Sequence, residues 1–467
     1  MQPGPEVEAQ GSRARLGERM PGVRVFYQPI GRRRLALIFA VLAVLDYLKE
    51  AIQDLANIHH RPLKFDFGQF QNAAQALSDG RNPYDVFVGL HCQSWCLGGY
   101  IYTPLLAELL RPIAHLPLPR AASIWLVLSH LMVLGTALIL WRTLRGRTTT
   151  TALAMMLAAG LLFQPLFENL SYVQIGILLL LILAIAAALY LRSTPRANTG
   201  AGALVGLATV FKVTPLLVAP ALMPVGWARR KYRPGAIREG VLGIAGMAAS
   251  IAGLVLAMLV LVPHTADFFS QVLPHIGGGT TVYENKSFPS MVGRFFDLTG
   301  EVEPGWGFSA PDSKLVTLAT LGIFLGSTAW LAARTLPRNG TDWTARAAVF
   351  AAFVAAMPIV STITWRHHMV VNILAMALLL PALWPIAGPA ASRAGRWLLV
   401  ASYPLSYVEQ DLAHRLALGH GIAHPTFLDA VRVLLIEDLN LFGMICLWLA
   451  CLLALRGLAA NHDNLSR

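Results

Sequence analysis

The apolar residues of this chain occur in blocks of roughly 17 to 25 residues, separated by short polar joints. An α-helix needs about 20 apolar residues to cross about 30 Å of hydrocarbon, so each block can span a bilayer. A transmembrane β-barrel needs shorter segments of strictly alternating residues, and a stretch such as 175–191 shows no alternation. Only 13% of the 467 residues are charged, against about 25% in soluble domains. The sequence therefore predicts an all-α polytopic membrane protein.

The blocks divide the chain into one membrane domain and two tails. Residues 1–34 have the composition of a disordered basic tail, residues 35–457 form the membrane domain, and residues 458–467 form a C-terminal tail. The helices flanking Lys212 and the one ending near Tyr407 are short, and we expect them to be broken or re-entrant. Twelve membrane helices are predicted, at 35–51, 121–141, 151–167, 172–191, 199–211, 213–227, 240–262, 314–334, 345–361, 369–388, 397–408 and 432–455.

The positive charges are unevenly distributed between the two sides of this topology. Seven tails and joints on one side hold 24 of the 37 lysine and arginine residues. The positive-inside rule therefore predicts that both termini are cytoplasmic, in a multi-pass protein of the inner (plasma) membrane. The formal charge of +12 follows from this topology, so nucleic acid is not an expected partner.

The three longest polar segments, 51–120, 263–313 and 409–430, all fall on the extracytoplasmic side of the predicted topology. Long loops commonly carry functional sites, so we expect an active site that opens to the periplasm or cell exterior. The alternative function is a transporter or flippase for a lipid-linked or anionic solute. Many transporters contain repeated halves, and the sequence shows no internal repeat.

Two of the four cysteines, Cys92 and Cys96, lie in the first of these segments. An oxidising compartment permits a disulfide there if the backbone turns between them, and free thiols are the alternative. With His91 as the only other soft ligand nearby, no metal site is expected. Cys446 and Cys451 lie in the last helix and are interpreted as packing residues.

One carboxylate, Asp66, stands between two aromatic residues soon after the first helix. Apolar residues recur from Phe67 to Leu77 at intervals of three and four, which predicts an amphipathic helix at the membrane surface, ended by the turn at residues 80–83. Asp66 then lies at the helix start, where it is either an N-cap or a catalytic group. Asp85, after that turn, is interpreted as a turn residue.

Other polar residues are expected at the extracytoplasmic ends of the later helices. Together, cations there are suited to binding a phosphate anion, although a single lysine can also lie there with its charge reaching the interface. The cations are Lys212, Lys286, Arg294, Arg366, His367 and His368. The other polar or aromatic residues are Tyr84, Tyr102, Glu168, Gln174, Asn285 and Trp365.

In their order along the chain, these residues resemble glycosyltransferase family 87. The resemblance extends over about residues 35 to 455, and one departure is Val173-Gln174-Ile175-Gly176, where the family commonly has Gly-Gln-x-Asn. The matching pieces are Asp66, a Gly-x-Asn-Pro-Tyr turn ending at Tyr84, Tyr102-Thr103-Pro104-Leu105, Gln174 at a helix start, Lys212, Asn285-Lys286-Ser287 and the segment 361–368.

The resemblance implies a GT-C fold and an enzyme that moves a mannose- or arabinofuranose-like sugar from a polyprenyl-phosphate donor to a lipid-linked or cell-envelope glycan acceptor. Asp66 corresponds to the first-loop aspartate of the family and is the implied base, and His367 and His368 match its histidine motif. No cofactor or metal is expected, because the donor carries a single phosphate. The implied phosphate ligands are Lys212, Arg366, Lys286 and Arg294, and the implied pocket residues are Tyr84, Tyr102, Glu168, Gln174, Asn285 and Trp365.

Overall fold

The computed structural model describes residues 29–60, 66–85, 99–223, 236–276, 280–298, 310–335, 343–386, 390–418 and 427–465, and these residues are mostly helical, without a β-strand among them. The helices are α1 (Pro29–Ala56), α2 (Phe67–Ser78), α3 (Pro104–Leu110), α4 (Leu118–Leu144), α5 (Thr150–Leu161), α6 (Gln164–Ser171), α7 (Gly176–Tyr190), α8 (Pro195–Phe211), α9 (Ala236–Leu261), α10 (Thr265–Asp267), α11 (Leu273–Ile276), α12 (Phe288–Leu298), α13 (Ala310–Leu321), α14 (Ser327–Thr335), α15 (Trp343–Val360), α16 (Asn372–Leu383), α17 (Arg393–Tyr407), α18 (Gln410–Leu418), α19 (Phe427–Glu437) and α20 (Leu439–Leu465).

Seven helical segments in the described residues are long and apolar enough to cross a bilayer, so the protein is a multi-pass membrane protein. The predicted count of twelve is not confirmed, because several of the predicted helices are shorter than a full crossing. The helix α7, for example, has 15 residues. The seven segments are Leu118–Leu144, Thr150–Ser171, Arg238–Leu261, Lys314–Thr335, Trp343–Val360, Arg366–Leu383 and Leu439–Ala460.

Two adjacent helices form the centre of the bundle. In α15, 89% of the apolar stretch is buried inside the protein, and in the segment Arg366–Leu383 the buried share is 94%. In Arg238–Leu261 only 17% is buried, so most of that helix is left for lipid. The central helices are hydrophobic on all sides, as expected for helices surrounded by other helices.

The helices α8 and α9 approach each other closely through small residues. A Cβ added to Gly202 would lie 1.8 Å from the carbonyl oxygen of Gly243, a distance that no side chain can occupy. Gly202 therefore has no possible replacement without moving the two helices apart. Close backbone approach through small residues is the usual way in which membrane helices gain packing energy.

The helix α15 connects two polar regions at opposite ends of the bundle. Its 18 residues span about 27 Å. Near its N-terminus the fully buried Arg346 contacts the carbonyl oxygen of Tyr190, donates to Asn198 at 3.2 Å and lies 3.9 Å from Glu239. Its C-terminus leads into the segment 361–371, where the predicted histidine motif lies.

The local predictions agree with the structure to different degrees. The predicted amphipathic helix is α2, but its apolar face packs on protein, where the buried Gln71 donates to the carbonyl oxygens of Ala114 and Leu116. The expected break at Lys212 is present, since α8 ends there and a 3-10 helix follows at Thr214–Ala221. The helix α20 continues to Leu465, through most of the predicted C-terminal tail. Residues 1–28 and the cysteines Cys92 and Cys96 lie outside the described residues.

Candidate active site

Asp66 is the N-cap residue of α2, but its side chain does not cap that helix. Instead its Oδ1 accepts a 2.6 Å hydrogen bond from the side-chain amide of Gln174, which lies between α6 and α7. The side chain of Asp66 is therefore free of the capping role. An amide from a distant segment instead orients the carboxylate.

The segment that presents Gln174 is held in an unusual backbone conformation. Val173, just before it, has φ = +55°, which is uncommon for any residue with a side chain and costly for a β-branched one. Val173 is only 1% exposed, so tight packing holds it in this conformation. Glycine adopts positive φ freely, whereas valine does so only at a cost in strain.

Lys212 and His368 form a second pair in the site. The Nζ of Lys212 lies 2.7 Å from Nε2 of His368, and it lies 5.8 Å from the centre of the Tyr102 ring. Lys212 is in place because α8 ends in an extended residue, and the hydroxyl of Thr103 donates to the carbonyl oxygen of Val210 close by. The break in the helix thus directs a single cation into the interior of the protein.

Arg366 is fully engaged with Glu168. Its Nε lies 3.1 Å from each carboxylate oxygen of Glu168, its Nη2 donates to Oε1 at 2.9 Å, and its Nη1 donates to the carbonyl oxygen of Val408. Both side chains are more than nine-tenths buried. A guanidinium in this arrangement has little capacity left for a phosphate, so the pair joins α6 to the histidine segment.

The two histidines are presented by a 3-10 helix, Arg366–Val371, with Trp365 as its half-buried N-cap residue. The ring of His367 lies 4.5 Å from that of His368 and 5.7 Å from that of Tyr172. The side-chain amide of Asn169 donates to the carbonyl oxygen of His367 at 3.1 Å. The Nε2 of His367 is buried and has no hydrogen-bond partner among the described residues, so it can accept or donate to a bound group.

Asn285 fastens the loop that precedes the histidines. Its Oδ1 accepts the backbone N–H of Thr364 at 2.8 Å, and its Nδ2 donates to the carbonyl oxygens of Thr280 and Thr362, both at 2.9 Å. Asn285 has no exposed surface. It is therefore a positioning residue rather than part of a pocket wall.

Lys286 and Arg294, which the resemblance assigns to the donor phosphate, lie in a separate buried cluster. Lys286 donates to the carbonyl oxygens of Tyr283 and Glu437. Arg294 contacts the carboxylate of Asp438 and lies 3.8 Å from that of Glu437. The structure does not bring these two cations to Asp66, because the acidic pair between α19 and α20 holds them.

Tyr84 connects the Asn-Pro-Tyr turn to the backbone of Tyr102. It is fully buried, and its hydroxyl donates to the carbonyl oxygen of Tyr102 at 3.0 Å. In the same turn the side-chain amide of Asn82 donates to the carboxylate of Asp267 at 3.0 Å. This bond connects the long polar segment 51–120 to the long polar segment 263–313. The turn therefore fixes the backbone at Tyr102, whose ring faces Lys212.

Burial changes the proton affinities of the two central groups. Burial raises the pKa of Asp66 to about 6, whereas the hydrogen bond from Gln174 and the charge of Lys212 act in the opposite direction. Burial lowers the pKa of Lys212 to about 7, and the negative charge of Asp66 opposes this shift. A base whose pKa lies near neutral pH combines a large ionised fraction with useful proton affinity.

Sequence reasoning missed a polar pocket beside these residues, between α1 and α6. Glu50 and Asp54 line it from α1, and Gln164 and Tyr172 lie on the opposite side, next to Glu168. The signal was present in the sequence, because two carboxylates spaced four residues apart near the end of an apolar helix must share one face. In the described part of the chain, no group of three His, Cys, Asp or Glu residues could hold a metal ion.

These observations define a multi-pass helical membrane protein whose partly buried carboxylate faces a lysine–histidine pair. The sequence model of glycosyltransferase family 87 matches residues 100–362, more than half of the chain, and the protein belongs to that family. The expected family and the prediction of a glycosyltransferase are confirmed. The transporter alternative is accordingly set aside.

Two curated relatives are similar to much of the chain. The "Polyprenol-phosphate-mannose-dependent alpha-(1-2)-phosphatidylinositol mannoside mannosyltransferase" of Mycolicibacterium smegmatis is 27% identical over 326 residues, which cover 66% of this chain and 68% of that protein. The "Polyprenol-phosphate-mannose-dependent alpha-(1-2)-phosphatidylinositol pentamannoside mannosyltransferase" of Mycobacterium tuberculosis is 28% identical over 304 residues, 64% of this chain and 61% of that protein. The matched region thus spans about two thirds of the length of the first relative and about three fifths of the second.

Among solved structures, the crystal structure of ArnT from Cupriavidus metallidurans bound to undecaprenyl phosphate matches 92% of this chain and 78% of that chain. The TM-score is 0.43 and the sequence identity is 14%. The apo state of the same protein matches with a TM-score of 0.40. This likeness is too distant to support any inference about the site.

Proposed function

We propose that the protein transfers mannose from polyprenyl-phosphate-mannose to a hydroxyl group of a glycolipid acceptor. The two relatives are named as mannosyltransferases that depend on polyprenol-phosphate-mannose, which favours mannose over arabinofuranose as the sugar. Their names also specify phosphatidylinositol mannosides as acceptors, and we extend this acceptor class to the present chain. The observation that carries the proposal concerns the carboxylate of Asp66. It accepts a hydrogen bond from Gln174, and the positive charge of Lys212 stabilises its ionised form.

Asp66 acts as the general base in this reaction. It removes the proton from the acceptor hydroxyl as the oxygen attacks the anomeric carbon of the donor sugar. The bond between that carbon and the phosphate oxygen breaks, and its electron pair leaves with the polyprenyl phosphate. The amide of Gln174 keeps one carboxylate oxygen occupied and so orients the other toward the acceptor.

Lys212 and the two histidines stabilise the departing phosphate. Lys212 and His368 already lie within hydrogen-bond distance of each other, and the Nε2 of His367 has no partner among the described residues. Positive charge and N–H donors directed at a leaving phosphate lower the barrier because the charge on the phosphate grows in the transition state. Arg366 supports the histidine segment through Glu168, and Lys286 and Arg294 hold the neighbouring loop.

The reaction takes place at the extracytoplasmic side of the membrane in this proposal. The positive-inside rule puts the basic joints, including the one between α4 and α5, in the cytoplasm. Asp66 and the histidine segment then lie at the opposite ends of the helices. A donor with a long apolar tail can reach the site from the bilayer while its phosphate lies at the protein–water boundary.

A transfer assay with the purified protein tests the proposal. The protein in nanodiscs is incubated with a panel of polyprenyl-phosphate sugars, each radiolabelled in the sugar, and with mannosylated phosphatidylinositol as acceptor. Labelled acceptor should form from the mannose donor only. Transfer from an arabinofuranose donor instead would show that the transferred sugar is not mannose. The absence of transfer from every donor would refute the proposed function.

A further inference from the structure

An open pocket of about 280 Å³ lies between α1 and α6, beside the catalytic residues proposed above. The helix α6 contributes Gln164, Phe167, Glu168 and Ser171, which stand at the i, i+3, i+4 and i+7 positions of one helix face. The volume of the pocket is slightly below the range of about 300 to 1,000 Å³ that is typical of ligand pockets. The pocket therefore suits a ligand of about one sugar ring.

The helix α1 provides two carboxylates to the facing wall. Glu50 and Asp54 are one helical turn apart, with Asp54 only 4% exposed and the side chain of Glu50 35% exposed. Lys49 lies 3.0 Å from Glu50, but its ammonium group is largely exposed and does not line the pocket. Residues four apart lie on the same helix face, so both carboxylates give this wall of the pocket a negative charge.

The lining determines the chemistry of a suitable ligand. Three carboxylates face a single guanidinium, that of Arg366, and Glu168 already neutralises it. The negative charge of this lining disfavours a bound phosphate group. Carboxylates accept hydrogen bonds from hydroxyl groups, and the rings of Phe167 and Tyr172 offer apolar surface to the carbon atoms of a sugar ring. The pocket therefore fits a neutral molecule rich in hydroxyl groups.

The pocket lies beside the proposed catalytic residues. Tyr172, in its wall, lies 5.7 Å from the His367 ring, measured between ring centres. Arg366 also lines the pocket and directly precedes His367 in the chain. A ligand in the pocket is therefore held next to the histidine segment.

We propose that this pocket binds a neutral, hydroxyl-rich sugar unit of the acceptor and directs one of its hydroxyls toward Asp66. The proposal rests on the proposed function and assigns an acceptor subsite within it. The proton of that hydroxyl passes to Asp66, the oxygen bonds to the anomeric carbon, and the polyprenyl phosphate departs with the electron pair of the broken bond.

The test compares Glu50→Gln with Asp46→Asn in the transfer assay. Asp46 lies one turn before Glu50 on α1, is half exposed, lies 4.0 Å from Lys49 and does not line the pocket, so it controls for the loss of a charge beside Lys49. Glu50→Gln should raise the acceptor KM about tenfold, the usual effect of losing a hydrogen bond to a charged group, and leave the donor KM unchanged. Asp46→Asn should match the parent in both constants.

Two other results would overturn the subsite. An unchanged acceptor KM in Glu50→Gln shows that the pocket does not bind the acceptor, and a raised donor KM shows that it belongs to the donor. An unchanged donor KM also reports that the variant is folded. If Glu50→Gln does not fold, Gln164→Ala on the opposite wall is subject to the same criteria. A parent enzyme that transfers no sugar is a different outcome, because it removes the proposed function itself.

Discussion

The side-chain amide of Gln174 donates a 2.6 Å hydrogen bond to Oδ1 of Asp66, and the two residues are 108 positions apart in the chain. This bond joins the segment before α2 to the segment between α6 and α7. It also removes Asp66 from the N-cap role that its position at the start of α2 would suggest. The carboxylate is thereby oriented by tertiary structure, and five expectations follow from this site and its surroundings.

Asp66→Asn should reduce turnover by about 10²- to 10⁴-fold, the usual contribution of a general base. Asparagine preserves the size of the side chain and can still accept from Gln174, so folding and donor KM should be retained. The measurement is sugar transfer in nanodiscs. Asp85→Asn, at an exposed residue that follows the Asn-Pro-Tyr turn, should leave turnover as it is in the parent, and an active Asp66→Asn enzyme would refute the role of Asp66.

The activity should depend on pH through Asp66, whose pKa burial raises to about 6. Below that pH the carboxyl group is protonated and cannot act as a base, so kcat/KM should fall about tenfold per pH unit. The hydrogen bond from Gln174 lowers this pKa, so Gln174→Leu should move the acidic limb of the profile to higher pH. An acidic limb at the same pH in parent and variant would contradict the assignment.

Glu168→Gln should destabilise the protein strongly, because it leaves the buried guanidinium of Arg366 without its counter-charge. Breaking a buried pair in this way costs about 3 to 5 kcal/mol. The matched control is Glu108→Gln, which removes a more exposed pair with Arg111, worth about 0 to 1 kcal/mol. Thermal unfolding in detergent should show a clearly larger drop for Glu168→Gln, and equal drops would argue against a structural ion pair.

Val173→Gly should preserve both turnover and the acidic limb, because glycine adopts the observed φ of +55° without strain. Val173→Pro should abolish transfer, since proline fixes φ near about −65° and must displace Gln174 from Asp66. Kinetics of the two purified variants make the comparison. Full activity in Val173→Pro would show that the left-handed turn does not position Gln174.

Single cysteines should report opposite membrane sides for Arg81 and Arg145. Arg81 follows α2, near the proposed site, whereas Arg145 follows the 27-residue helix α4, which is long enough to cross the bilayer. Both side chains are exposed. In a background without the native cysteines, a membrane-impermeant maleimide should label Arg81→Cys in intact cells and Arg145→Cys only after lysis. Labelling of both, or of Arg145→Cys alone, in intact cells would reverse or refute the proposed orientation.

Much of the architecture could be read from local patterns. Long apolar blocks predicted helices because backbone N–H and C=O groups in lipid must be hydrogen-bonded within the chain, and a helix satisfies all of them within one segment. The turn after α2, the break at Lys212 and the helix α2 itself followed from glycine, proline and apolar spacing, which act over a few residues. The number of spanning helices was less accessible, since a short apolar helix inside a bundle and one that crosses lipid have the same composition.

The sequence by itself determined that this chain is a helical membrane protein, that Asp66 begins a helix and that cations recur at helix ends. Only the tertiary structure decided which of those groups meet. It brought Gln174 to Asp66 and His368 to Lys212, and it paired Arg366 with Glu168. It placed Lys286 and Arg294 with Glu437 and Asp438 instead. The reason is that a buried charge takes whatever partner the packing of distant helices brings near, and one-dimensional spacing does not specify that partner.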